Sequence, residues 1–333
     1  MQKLSRQMHY KSLALGATMF VVVLGASTRA QASWPAAKGH FERSFSVSGT
    51  VDLDVHTGCG DVQVRAGAGN SVEVDGKIEV SHGFSGNAEQ RVKEIETNPP
   101  VQQTGNIIHI TQEPSSAWRN VCVSYTITTP QHTDLKARTG SGNVQAEGIA
   151  GPVDAESGSG DVNLQNIGGM ARVHTGSGNV RAERIRGEAS FETGSGDVQA
   201  FDVAGAITGR TGSGNLKLRQ SAPGPMRAET GSGEIDLSGT IGSLRASTGS
   251  GSIKADGDPK GPWHLSTGSG EVELHLPANA SAELSAHSSS GSVNVSRPLS
   301  AQGTVGHKEV HGRLGNGGPM IEVSTGSGDI SIR

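Results

Sequence analysis

Thr175-Gly176-Ser177-Gly178-Asn179-Val180 returns eighteen residues later as Thr193-Gly194-Ser195-Gly196-Asp197-Val198. The same Thr-Gly-Ser-Gly block, or a close variant, begins at Thr139, Ser157, Thr175, Thr193, Thr211, Thr230, Thr248, Thr267, Ser288 and Thr325. The first five starts are eighteen residues apart; the next steps are nineteen, eighteen, nineteen and twenty-one. The last step is thirty-seven, room for one extra coil or a loop. An early variant, Thr57-Gly58-Cys59-Gly60, stands 82 residues before Thr139. A repeat of this length marks an architecture of stacked, near-identical units.

The residues around the block say what each unit is. Two before the Thr stand Ala137, Ala155, Val173, Phe191, Ala228, Ala246 and Leu265; four before stand Leu135, Val153, Ala171, Ala189, Ile207, Met226, Leu244 and Trp263. Lys136, Asp154, Arg172, Arg227, Arg245 and His264 lie between them. That period of two is a strand with one buried face. It resumes after the block at Val144, Val162, Val180, Val198, Leu216, Ile235, Ile253 and Val272, with a further apolar residue two positions on. By the same parity the Thr side chains point inward. Ile149, Ile167, Ile185 and Val203 add a third apolar column before a second turn. Each unit is therefore two strands joined by a corner. The corner glycines are Gly140 and Gly142, Gly158 and Gly160, Gly176 and Gly178, Gly194 and Gly196, Gly212 and Gly214, Gly231 and Gly233, Gly249 and Gly251, Gly268 and Gly270, and Gly326 and Gly328. Small residues there let the chain bend and let successive corners approach closely. The reading is an all-β parallel β-solenoid, a β-helix of about eighteen residues per coil. Nine or ten coils at about 4.8 Å each give a rod on the order of 40–50 Å.

Residues 33–134 lack the period and read as a β-rich capping region, because a bare solenoid end exposes an unpaired edge. Val51–Val55, Val62–Val64 and Val72–Val74 alternate as strands. Asn87 and Gln90 are spaced for a capping box at the start of one short helix near 88–97, which stops before Pro99-Pro100. Residues 135–333 carry the repeats, with a Gly-rich irregular loop expected over 300–318. Residues 1–32 read as a Sec-type signal peptide. Lys3, Arg6 and Lys11 precede an apolar stretch from Leu13 to Leu24, too short to span a bilayer, and Ala30-Gln31-Ala32 is a small-x-small cleavage site. No second apolar run follows, so the mature chain is expected without a transmembrane segment, and periplasmic, at the cell surface or secreted. In that compartment Cys59 and Cys122 are either bridged or two separate buried thiols.

Only 3% of the 333 residues are aromatic and 49 are glycine, so the core is made of thin layers of small and branched side chains. A net charge of −4 with both signs interspersed offers no basic stripe for nucleic acid. A polar column follows each corner: Asn143, Asp161, Asn179, Asp197, Asn215, Glu234, Ser252, Glu271, Ser292 and Asp329. Stacked carboxylates could hold Ca²⁺, which would make a calcium-stabilised surface module. The alternation of acid with amide fits side chains that satisfy turn amides instead. A polysaccharide lyase or hydrolase would need convergent carboxylates in a cleft, and Asp154, Glu156, Glu192 and Glu229 are scattered among Arg and Lys. His307 and His311, four apart, would share a metal only on a helix, and their Gly-rich surroundings read as a solvated loop. No catalytic, cofactor or metal residues are expected.

The Thr-Gly-Ser-Gly-Asp-Val blocks, the Val123–Pro130 strand leading into them, and Gly315-Asn316-Gly317-Gly318 before the last block resemble the bacterial DUF4097 family of adhesin-like proteins. More distantly they resemble the head domain of autotransporter adhesins. The likeness covers nearly the whole chain after the leader and rests on structural motifs. It implies a right-handed solenoid without known catalytic residues. The expected function is an exported, non-catalytic envelope or adhesion scaffold for a surface, glycan or protein ligand.

Overall fold

The computed structural model describes residues 37–82, 86–112 and 118–333, which leaves the expected leader outside the described residues. The strands before each corner form one fifteen-stranded sheet, and the strands after it form a facing fourteen-stranded sheet. Within the repeat all neighbours are parallel; the first sheet is in register throughout, and the second shifts register at Ala200/Val203 and Leu237/Thr240. Thr139, Ser157, Thr175, Thr193, Thr211, Thr230, Thr248 and Thr267 each stand opposite the next. The inward columns are buried throughout, and the residues between them are exposed or half-buried. Trp263 fits this narrow core because its indole N–H donates to the Gly242 carbonyl at 2.9 Å.

Coils do not stack strictly in chain order. Strands Val51–Thr57 and Val62–Gly67 form a regular coil that pairs directly with Thr133–Thr139 and Val144–Glu147. Their other flank is taken by Ile107–Thr111 and Val121–Pro130, so a later stretch of chain lies outside an earlier one. The far end repeats the arrangement. Strands Met320–Ser327 and Ile330–Ile332 slot between Trp263–Ser269 with Val272–His275 on one side and Ala282–Ser288 with Val293–Val295 on the other. Two coils thus come from the region read as a cap, and the stack has twelve coils instead of nine or ten. The irregular loop expected over 300–318 is also corrected. Both Leu299–Val305 and Glu309–Leu314 are strands that close the first sheet: Glu309–Leu314 pairs antiparallel with Ala282–Ser288, and Leu299–Val305 pairs antiparallel with Glu309–Leu314 at the edge.

The opposite end is covered differently. Ala37–Ser46 and Ser71–Val80 extend the second sheet antiparallel beyond Val121–Pro130. Helix Ala88–Thr97 lies against them and buries Val92 and Ile95. Gly39 faces Val92 and Glu96, where a Cβ would collide. The Glu96 carboxylate accepts from the His40 amide, which covers part of an open edge. The Asn87 side chain caps the Gln90 amide at 3.0 Å, but the Gln90 side chain turns to Glu94 and leaves the capping box half-made.

The third apolar column needs a break in alternation. In Val162–Ile167, Leu164 and Ile167 are both buried although three positions apart. Asn166 takes a left-handed conformation at φ 56° and absorbs the odd residue; Arg184 and Asp202 do the same one and two coils on, at 56° and 59°. Asn adopts that region at a lower cost than arginine. Arg184→Asn should therefore raise stability by about 0.5 kcal/mol, read as a higher urea midpoint at unchanged slope.

Candidate functional site

The corner is where the repeat concentrates polar groups. The Thr175 hydroxyl donates to the Gly160 carbonyl of the preceding coil at 3.0 Å and accepts from the Gly178 amide of its own at 3.2 Å. Ser157, Thr193, Thr211 and Thr230 repeat both contacts. An inward hydroxyl therefore satisfies two backbone groups that the bend removes from the sheet ladder. At Thr57 the hydroxyl still reaches the neighbouring coil, at the Val123 carbonyl 3.0 Å away, but the buried Gln112 side chain stands in for the missing corner carbonyl and accepts from the Gly58 amide at 2.7 Å. Thr175→Val keeps the shape and deletes the bridge, so it should cost about 1–3 kcal/mol in urea unfolding. Thr175→Ser, which copies Ser157, should cost far less.

The glycines serve close approach more than special dihedrals. Gly142, Gly160, Gly178, Gly196 and Gly214 do not have positive φ. A Cβ on any of them would overlap the carbonyl of the glycine one coil earlier. The polar column just past the corner forms an outer ladder. Asn143 accepts from the Asp161 amide at 2.9 Å, Asp161 from Asn179 at 2.7 Å, and Asn179 from Asp197 at 3.0 Å. The ladder runs through Asp197 and Asn215 to Glu234. Near the far end Asp329 accepts from the Ser292 amide and hydroxyl, which hold its carboxyl below the usual range. These side chains bond the next coil's amide rather than a local turn, so the acids and amides are equivalent acceptors here. Among the described residues no three metal-ligating side chains cluster.

Cys59, in the early corner, is disulfide-bonded to Cys122 on Val121–Pro130 and ties the two outermost coils together. His311 lies on Glu309–Leu314, not in a loop, and pairs with Glu309 at 2.9 Å.

The outward face of the first sheet carries charges that alternate from coil to coil. Arg138 lies 3.7 Å from Asp54 and 3.3 Å from Glu156; Arg210 lies 3.1 Å from Glu229. Burial raises the Glu229 carboxyl, but hydrogen bonds from Arg227 and Arg210 outweigh it and leave the group below its ordinary range. Further along, the row becomes Ser247, Ser266 and Ser324, a shallow polar groove flanked by Arg245 and His264. On the other sheet Phe201 sits between the Arg181 and Arg219 guanidinium groups, 5.9 and 5.5 Å from its ring. A larger cleft of about 1000 Å³ opens between the helix and the outermost strands. Among the described residues that line it, Glu94 is the one carboxylate, and Arg91 holds it at 3.2 Å while stacking over Trp118.

The sequence model of the family described as Toastrack DUF4097 matches residues 50–222 and 188–333. The chain belongs to the DUF4097 family. No curated protein matches it. Two solved structures resemble it at low identity. One, titled a "putative adhesin", from Bacteroides fragilis, is 12% identical with a TM-score of 0.33 and covers 89% of this chain and 98% of its own. The other, titled a "putative cell adhesion protein", from Clostridium sporogenes, is 9% identical with a TM-score of 0.21, covering 89% and 99%. Neither likeness bears on function at those scores.

In this DUF4097 chain the corner residues come together as one continuous spine, and the outward acids do not. Asp154 and Glu156 share one strand, Glu192 and Glu229 lie on two others, and the last three face basic side chains. The sequence reading missed Gln112 as a substitute corner and Phe201 as an outward aromatic. Phe201 had a visible signal: it occupies a position that is polar in neighbouring coils, at Glu183 and Arg219. Among the described residues no helix is long and apolar enough to cross a membrane.

Proposed function

We propose that this DUF4097 chain is an exported, non-catalytic scaffold of the adhesin type, which presents its outward strand faces to a surface, glycan or protein ligand at the cell envelope. The observation that carries the reading is the fate of the chemically capable groups. The corner hydroxyls and the Asx carboxylates that a repeat could have offered to a substrate are spent on hydrogen bonds between coils. Among the described residues the cleft beside the helix is lined by one carboxylate, already paired, where glycoside cleavage needs two. The flat charged faces remain for recognition, and a rigid repeated surface suits an extended ligand. Fractionation of tagged protein and a glycan array with purified protein test this. Saturable binding that Arg245→Glu weakens, with no release of sugar, is the expected result. Glycan turnover abolished by Glu94→Gln would replace the scaffold with an enzyme.

A further inference from the structure

The 320–332 coil occupies a slot rather than an end. Its two strands are paired on both flanks, with Trp263, Ile321 and Leu284 forming one inward column and Thr267, Thr325 and Ser288 forming the corner. In the second sheet, Val272, Ile330 and Val293 stack likewise. Ile321, Val323, Ile330 and Ile332 are buried, so an empty slot would expose four large apolar side chains and two rows of backbone groups. Within the described residues the coil reaches the slot through the short link 315–319, where Gly315, Gly317 and Gly318 have positive φ.

The walls of the slot also match each other. Ser288 follows Thr267 by twenty-one residues, close to the ordinary repeat, and both corners carry the inward hydroxyl that the stack uses. The Thr325 hydroxyl donates to Gly270, and the Ser288 hydroxyl donates to Gly328 of the inserted coil, by the same contact. If the inserted coil withdraws, the walls can close on one another in register, Leu284 meeting Trp263 and Ser288 meeting Thr267. Such a closure would leave a stack one coil shorter.

We propose that the 320–332 coil is exchangeable between copies: the coil of one molecule inserts into the slot of a second copy of this chain, giving a strand-swapped assembly. The recognition is homotypic, since the slot reads a Thr-Gly-Ser-Gly corner flanked by paired apolar strands, which the same chain supplies. A short link gives the molecule's own coil an effective concentration of roughly millimolar, so dilute protein closes on itself and crowded protein exchanges. This inference does not depend on the proposed scaffold function.

The test uses full-length chains. Ser266 and Ser324 are register partners with hydroxyls 3.2 Å apart, on the accessible side of the sheet. A chain carrying both Ser266→Cys and Ser324→Cys should close an internal disulfide. A mixture of one chain with Ser266→Cys and another with Ser324→Cys, held concentrated near the melting transition and oxidised, should give a cross-linked heterodimer. Its yield should be several-fold above a mixture of Ser190→Cys with Ser324→Cys, whose sites lie on strands that are not neighbours. Heterodimer no greater than that control overturns exchange. Failure of the double variant to close in either mode overturns the slot itself.

Discussion

Gly178→Val is expected to cost about 3 kcal/mol or more and to split the unfolding transition in two. The added Cβ would overlap the Gly160 carbonyl and the Asp161 amide nitrogen, and both are backbone atoms that cannot turn aside. Relief requires the coils to separate at that corner. Separation stretches the Thr175 bridge to Gly160 and the Asp161 bond to the Asn179 amide at the same time. Each coil touches only the coils beside it, so a broken contact uncouples the stack on either side of the lesion. Thermal unfolding by circular dichroism should show two steps where the unaltered protein shows one. Ser177→Ala, one residue away and exposed, should change stability by less than about 0.5 kcal/mol. A single transition for Gly178→Val at the normal temperature would mean that the corners are not in close contact.

Removing the disulfide should be comparably severe but confined to one end. Cys59 and Cys122 are 63 residues apart in sequence. Chain-entropy arguments give a bridge over such a loop about 4 kcal/mol. The bridge joins the early corner to Val121–Pro130, the strand that also receives the antiparallel extension Ser71–Val80. In Cys59→Ala/Cys122→Ala, amide exchange should accelerate first in 121–130 and 71–80. Protection in the central coils, such as Val180–Ile185, should stay close to normal, because stability in a stack is local. Uniform loss along the whole chain would argue against nearest-neighbour stability.

The contrast between these two sites shows how far the sequence could be read. The interior of a coil is a local matter: alternation of Val173 with Arg172 and His174 declares the buried face, and the Thr175 side chain follows by parity. Which coil lies beside which is not local. Every corner offers the same hydroxyl and carbonyl, so Thr57 fits Thr139 across 82 residues as well as Thr139 fits Ser157 across eighteen. Order is set by the connections: the excursion through the helix at one end and the antiparallel strands at the other. Strand Glu309–Leu314 was obscured for a related reason. Its inward positions are Val310, Gly312 and Leu314, and the central one lacks a side chain because Leu299 fills that space, 2.7 Å from where a Cβ would lie. With the middle of the pattern missing, a strand looks like a Gly-rich loop. The acid and amide column was legible as structural, but its partner was not. Sequence shows a side chain that can accept a hydrogen bond and does not show that the donor belongs to the neighbouring coil.

Placing the 320–332 coil between two others also sets how the molecule answers to force. A coil at the tip of a stack can be peeled, one bond after another, by tension on the chain. Ile330–Ile332, the strand that leads to Arg333, has neighbours on both flanks, each running parallel to it. Tension applied along the strand from Arg333 therefore loads two ladders lengthwise, and their bonds share the strain instead of failing in turn. For a protein anchored at that end, the resistance to extension would reside in this shear geometry.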